Sequence, residues 1–169
     1  KINFIATFLL ASTMLFYNCS NNKVDKQADP NIVIVLLDDM GYGDIESFGA
    51  INYSTPNINR LADDGMLFTN FYSAQAVCSA SRAGLLTGTY PNRIGIHGAL
   101  SPRSKTGLHS REKTIAEILK EKNYKTAVIG KWHLGHQKEF LPLNHGFDYY
   151  YGIPYSNDMW PVDFDGNPI

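Results

Sequence analysis

Apolar and polar positions along the chain separate into short blocks with two different periods. Ile32-Val33-Ile34-Val35-Leu36-Leu37 is aliphatic without alternation, which predicts a strand buried on both faces, as in a parallel sheet. Thr55-Pro56-Asn57-Ile58-Asn59-Arg60-Leu61-Ala62-Asp63-Asp64-Gly65 switches to the helical period. Thr55 is placed to cap it, Pro56 to start it and Gly65 to close it, with Ile58, Leu61 and Ala62 as the stripe to be buried. Met66-Leu67-Phe68-Thr69-Asn70-Phe71-Tyr72 reads as a second strand. Small and aliphatic residues from Cys78 to Gly88 can run on as a helix. Further on, Thr114-Ile115-Ala116-Glu117 is a capping-box pattern that opens a helix through Lys122, and Lys125–Gly130 follows as a short buried strand. This succession of strands and helices defines an α/β class.

Candidate chemistry falls where these blocks end. The aliphatic run stops at Asp38-Asp39. In open α/β sheets, sites form beyond the carboxyl ends of strands, and adjacent carboxylates there suit a hard divalent cation that takes oxygen ligands. An acidic pair after a strand is also an ordinary solvated turn. Cys78 and Arg82 are four apart, so on a helix they share a face. Cys78 would sit where free N–H groups and the helix dipole favour an anion, and Arg82 adds a planar fork of donors for an oxyanion. By itself, that spacing fits a core helix with an ordinary ion pair at least as well. Lys131 and His133, two apart after the strand Lys125–Gly130, would face the same side of an extended segment, one binding an anion and the other moving protons. His97, in a turn-rich stretch, reads as a structural or rim histidine rather than a ligand.

The first residues follow a different logic. Lys1 precedes an apolar run, Ile2–Tyr17, that ends at Asn18-Cys19-Ser20 and gives way to a polar stretch. The run falls short of the roughly 20 residues of a spanning helix and has the form of a signal peptide. Its stop at a cysteine resembles a bacterial lipoprotein signal, although Asn18 stands where a small residue is usual; plain secretion is the alternative. Residues 1–19 are therefore expected to be a signal peptide ending at a lipidated Cys19, residues 20–29 a polar tether, and residues 30–169 the folded portion. Net charge is -1, which leaves no electrostatic footprint for nucleic acid. Membrane contact is expected only through the lipid on Cys19, in the periplasm or at a bacterial outer membrane. There are two cysteines, Cys19 and Cys78, and the export role of Cys19 argues against pairing them.

The longer string Cys78-Ser79-Ala80-Ser81-Arg82-Ala83-Gly84-Leu85-Leu86-Thr87-Gly88 resembles the first signature of the formylglycine-dependent sulfatases. The usual form has proline where Ala80 stands; the alanine variant is associated with a radical-type maturation system. Tyr124–His133 resembles the second signature, and Gly152-Ile153-Pro154-Tyr155-Ser156 resembles a phrase of the arylsulfatase A and N-acetylgalactosamine-6-sulfatase branch. The resemblance runs from about Asn31 to Asp158. It implies the N-terminal part of an alkaline-phosphatase-like α/β domain, with a mostly parallel sheet between helices. It implies hydrolysis of sulfate esters, of sulfated carbohydrates or aryl sulfates. Cys78 would be converted to formylglycine by a sulfatase-maturing enzyme and act as nucleophile. Asp38 and Asp39 would be two ligands of a calcium ion. Arg82 and Lys131 would bind sulfate, Ser156 would lie near it, and His133 would assist breakdown of the sulfated intermediate.

The family is roughly three times this length, and its later segments carry an Asp-Asn pair that completes the calcium site, another lysine and a histidine that protonates the leaving oxygen. No second acidic pair occurs here in a comparable setting; Asp163 and Asp165 lie in a turn-like tail. The 169 residues alone are therefore expected to be inactive. Two rival functions remain. A phosphonate or phosphodiester hydrolase of the same superfamily is separated by relative rates on sulfate esters and phosphodiesters. A non-catalytic envelope lipoprotein is disfavoured by the joint presence of Cys78, Arg82, Lys131 and His133.

Overall fold

A computed structural model describes residues 28–156 together with Asn167 and Pro168. The expected signal peptide, most of the tether, and Asp163 and Asp165 lie outside the described residues. The chain divides into two compact units, Lys1–Leu37 and Asp38–Ile169.

In the first unit, Ile32–Leu37 is not a strand, and all six of its side chains are exposed. This corrects the expected buried strand. Its aliphatic pattern is that of a strand covered on both faces and paired at its edges, but the single sheet among the described residues has two strands, and this segment is neither.

In the second unit, single turns of 3-10 helix at Tyr42–Asp44 and Glu46–Phe48 lead to helix α1, Pro56–Asp64. Pro56 starts α1 as expected, but the Thr55 side chain makes no cap bond. Gly65 closes the helix with φ -126° rather than in the left-handed region. No residue of α1 is buried, so Ile58, Leu61 and Ala62 form a stripe without a cover. The expected strand Met66–Tyr72 is likewise exposed and unpaired.

From Cys78 onward the chain packs. Helix α2, Cys78–Thr87, buries Ser79, Ala80 and Ala83 and ends at Gly88, whose φ of +63° suits a residue without a Cβ. Helix α3, Ile115–Lys120, opens with the expected capping box. Thr114 Oγ1 accepts the Glu117 N–H at 3.2 Å, and the Glu117 carboxylate accepts the Thr114 N–H at 2.7 Å. Strand β1, Ala127–Lys131, then pairs in parallel with β2, Tyr149–Ile153, with Gly130 opposite Gly152 and Lys131 opposite Ile153. The backbones approach so closely there that a Cβ on Gly152 would lie 1.8 Å from the Gly130 carbonyl oxygen. Pairing continues past β1: the N–H groups of Trp132 and His133 donate to the carbonyls of Ile153 and Pro154 at 2.9 and 3.0 Å.

The core lies between α2, α3 and the segment after β1. Ala80, Ala83, Ile94, Ile96, Leu108, Ala116, Trp132, Leu134 and Phe147 form it, with Leu86, Val128 and Tyr150 packed against it. Trp132 is its largest member. Its indole N–H donates to the Phe140 carbonyl at 2.8 Å, and its ring meets those of His145 and Phe147, each at 6.0 Å. The architecture is α/β with a parallel sheet, as expected. Among the described residues no helix is long and apolar enough to cross a membrane.

Candidate active site

Three segments far apart in sequence meet at one carboxylate oxygen. Lys131, the last residue of β1, donates from Nζ to Asp38 Oδ2 at 2.6 Å. Arg82, one turn into α2, places Nη2 3.4 Å from the same oxygen. Nη1 of Arg82 donates to the Lys131 carbonyl at 2.6 Å, which ties helix to strand. Burial pushes the Asp38 carboxyl up. The Lys131 hydrogen bond and the Arg82 charge outweigh it and hold the group below its ordinary value. Two cations thus share one anion, leaving a net positive charge. The Arg82 Nε–H, buried and without a partner, is a free donor beside it. Such a cluster can take a tetrahedral oxyanion.

Cys78 opens α2 as a half-buried free thiol. Val77 caps the helix only through its carbonyl, which accepts the Ser81 N–H at 2.8 Å. The N–H groups of Cys78, Ser79 and Ala80 therefore lack intrahelical acceptors, and the positive end of the helix dipole lies at Cys78. Arg82 follows at the spacing that puts it on the same face.

His133 departs from the extended geometry expected of it. β1 ends at Lys131, and His133 takes φ +57°, an unusual conformation for a side chain of this size. Its ring is wholly buried, with Nε2 2.7 Å from the Leu100 carbonyl oxygen. A carbonyl only accepts, so that nitrogen carries the proton, and Nδ1, buried and unpartnered, is the acceptor end. Burial, reinforced by the charges of Lys131 and Arg82, lowers the His133 pKa despite the Leu100 carbonyl and Asp38. The neutral ring can receive a proton at Nδ1.

Asp39 follows Asp38 in the left-handed region, at φ +56°, exposed and without a hydrogen bond among the described residues. Asp38 Oδ1 and the Asp39 carboxylate are oxygen donors of the kind a hard divalent cation takes. They suit part of a calcium site, and no group of three or more acidic, His or Cys side chains assembles around them among the described residues. Ser156 is half-buried, two residues beyond the Pro154 carbonyl that receives the His133 N–H, and forms no hydrogen bond with Arg82 or Lys131. His97 is exposed, and only its carbonyl is engaged, by Gln75 Nε2 at 2.8 Å.

Sequence reasoning missed Ser79 and Leu100. Ser79 is fully buried, and its Oγ accepts the Leu100 N–H at 3.0 Å. Its spacing from Arg82 could have placed it on the same helical face, but no sequence pattern reveals its partner.

Residues 30–168 match the Sulfatase family model, and the chain belongs to the sulfatase family. It is 49% identical over 137 residues to arylsulfatase G of Mus musculus, covering 81% of this chain and 26% of that protein. To arylsulfatase A of Bos taurus it is 48% identical over 135 residues, covering 78% and 27%. To N-acetylgalactosamine-6-sulfatase of Homo sapiens it is 45% identical over 133 residues, covering 74% and 26%. Among solved structures, that of Ps i-CgsB superposes with a TM-score of 0.68 at 42% identity, over 70% of this chain and 27% of that one; it has also been crystallised in complex with k-i-k-neocarrahexaose. The PsFucS1 sulfatase from Pseudoalteromonas sp. gives 0.66 at 41% identity, over 73% and 25%. The chain thus spans about a quarter of the length of these relatives.

Proposed function

We propose that this chain supplies the anion-binding side of an enzyme that hydrolyses sulfate esters, with sulfated carbohydrates as the substrate class and aryl sulfates as practical reporters. The observation that carries the reading is the shared oxygen of Asp38. Lys131 and Arg82 are held there at the start of the helix that bears Cys78, with the Arg82 Nε–H free. The carbohydrate class is supported by the oligosaccharide in the Ps i-CgsB complex.

Arg82 and Lys131 bind and orient the sulfate group and offset negative charge as it shifts between sulfate oxygens. Both side chains are largely shielded from water, which strengthens those contacts. His133 holds a vacant Nδ1 within the same buried cluster and can take a proton there. Asp38 and Asp39 would hold calcium, which supplies Lewis-acid polarisation of a sulfate oxygen. Formylglycine, made from Cys78 by a sulfatase-maturing enzyme, supplies a nucleophile that a thiol does not. Ser156 would serve as a further sulfate contact. The mature protein is exported, to the periplasm or, through a lipid on Cys19, to the outer membrane.

Mass spectrometry and turnover on the full-length protein, co-expressed with a maturing enzyme, test the reading together. The Cys78 peptide is expected to be about 18 Da lighter than its cysteine form, the difference between thiol and aldehyde. Aryl sulfate is expected to be cleaved faster than a phosphodiester. Complete alkylation of Cys78 by iodoacetamide in a preparation that hydrolyses sulfate esters would refute it, and a faster phosphodiester rate would move the assignment to phosphate or phosphonate chemistry.

A further inference from the structure

The end of β1 is clamped to α2 at two points. Arg82 Nη1 donates to the Lys131 carbonyl at 2.6 Å. Three residues earlier on the same helix, Ser79 Oγ accepts the Leu100 N–H at 3.0 Å, and the Leu100 carbonyl in turn receives the His133 ring at 2.7 Å. The bonds close a circuit: α2, the Lys131 carbonyl, two residues of chain to His133, Leu100, Ser79 and back to α2. Ser79 and His133 are both almost completely buried, and Leu100 is nearly so. Water therefore does not readily replace any link.

From this circuit we infer that Ser79 is a positioning residue for His133, acting through the backbone of Leu100 to fix the ring's tautomer and the placement of its free Nδ1. The inference rests on the proposed role of His133 in sulfate-ester hydrolysis.

The His133 backbone is paired through its N–H but sits in a left-handed conformation, so the alternation of the strand does not set where the ring points. The Leu100 carbonyl is the only hydrogen-bond partner of the ring among the described residues, and Nδ1 has none. The orientation of the ring thus depends on where the Leu100 carbonyl is held. The N–H of the same residue, in the peptide unit that precedes that carbonyl, is held by Ser79 Oγ. Ser79 adjoins Cys78, so the group that fixes the proton acceptor travels with the residue assigned as nucleophile precursor. If α2 shifts, both move together. A carbonyl on Nε2 forces the proton onto that nitrogen and the lone pair onto Nδ1. Outer hydrogen-bond partners of metal-bound histidines typically change activity by about 10- to 100-fold when removed, and a loss at the lower end of that range is expected for Ser79, which acts one residue further out.

The test uses the full-length matured protein with ¹⁵N-labelled histidine, comparing the parent with Ser79→Ala and Ser79→Thr. In the parent, His133 is expected as a single Nε2–H tautomer. In Ser79→Ala it is expected to become a mixture of tautomers, with kcat lowered about tenfold and KM little changed. Ser79→Thr, which keeps the hydroxyl, should restore both. A fall in kcat with an unchanged His133 spectrum would overturn the inference, since Ser79 would then only stabilise the helix. So would an alanine variant that leaves both unchanged. If Ser79→Thr does not fit the buried site, its melting temperature will show it, and the Ser79→Ala spectrum still decides. The tautomer signal needs no turnover. A protein inactive on sulfate esters but with the expected spectral change would remove the functional reading and leave the positioning role standing.

Discussion

Helices α1 and α2 belong to the same unit, are nearly equal in length, and use their surfaces in opposite ways. α1 has the clearer segregation of apolar and polar positions, yet it buries nothing. Its attachments are polar, and exposed or only partly buried. Asn59 Nδ2, the Thr55 N–H and Ser54 Oγ all donate to Glu46 Oε2, at 2.6, 3.0 and 2.8 Å, and Ser47 Oγ donates to Asn59 Oδ1 at 2.7 Å. α2 is weakly amphipathic but small-sided. Ala80 and Ala83 are fully buried, and a Cβ on Gly84 would lie 2.7 Å from the Ala74 Cβ. An amphipathic stripe therefore states that a face is suited to cover, not that a cover is present. Small residues let a neighbour come close enough to bury polar groups such as Ser79 in well-defined hydrogen bonds. The side chains proposed to act sit with the second kind of helix. Arg82 and Ser79 project from α2, while nothing from α1 reaches Asp38, Lys131 or His133 among the described hydrogen bonds.

The sharpest way to break this comparison is to remove one large apolar side chain from each region. Trp132→Ala empties the centre of the core and leaves the Phe140 carbonyl without its donor. It is expected to destabilise the 169-residue chain by about 3–5 kcal/mol. Leu61→Ala, on the exposed stripe of α1, should stay within about 0.5 kcal/mol. Chemical denaturation followed by tryptophan-independent circular dichroism measures both. Equal losses would show that α1 is packed in solution. The same Leu61→Ala change in a protein of the relatives' length, costing about 2 kcal/mol or more, would show that the stripe has a cover there.

How much was legible in the sequence follows the same division. The Thr114–Glu117 capping box, the helix opening at Cys78 and closing at Gly88, and the body of β1 are local features, and local spacing predicts them; the expected burial of that strand is not found, since no residue of β1 is buried and Ile129 is exposed. Ile32–Leu37 and Met66–Tyr72 have the composition of strands, but a strand exists only through its neighbours, which composition does not supply. β2 went unread for a related reason. Tyr149-Tyr150-Tyr151 has β-propensity but no alternation, and its pairing with β1 crosses 22 residues in register. At the site, residue types were readable and their meeting was not. No spacing rule joins positions 38, 82 and 131 to one oxygen, and nothing in the pattern foretells the left-handed backbone of His133 or its dependence on Leu100. The family signatures stood in for that missing geometry.

A second, smaller contrast lies in the two threonines that precede helices. Thr114 is fully buried; it caps α3 and donates to the His145 carbonyl at 2.7 Å. Thr55 precedes α1 without capping it. Its Oγ1 accepts the Glu46 N–H and donates to Asn59 Oδ1, each at 3.1 Å in partly exposed settings. Thr114→Ala should cost about 1–2 kcal/mol, and Thr55→Ala about 0.5 kcal/mol or less, in equilibrium unfolding. A larger loss at Thr55 would reverse the ranking of the two regions.

The smallest expected effect is electrostatic and separates the regions by pH. Asp148 closes the packed region. It pairs with Lys120 Nζ at 2.8 Å at the end of α3 and accepts the Thr126 N–H at 3.0 Å just before β1. The Lys120 bond first, and the Thr126 backbone next, lower its pKa to about 2. Glu46, the hub of the exposed region, is also held below its ordinary value, first by the Thr55 N–H and then by Ser54 and Asn59. Both groups are carboxylates lowered by folding, so each contributes stability above its unfolded pKa of about 4 and loses it as pH falls; for Asp148 the loss runs from about pH 4 to about pH 2. Asp148→Asn should therefore lower the denaturation midpoint most near neutral pH, with the variant and parent curves converging as pH drops toward 2. Glu46→Gln should act in the same direction but less, because it loosens only the attachments of α1, whereas Asp148 joins α3 to β1. Added salt should shrink the Asp148 effect, since Lys120 and Asp148 meet near the surface. Midpoints measured across that pH range would sink the ordering if Glu46→Gln moved the acid limb further than Asp148→Asn, for then the polar hub of the exposed region would be held more firmly than the link within the packed one.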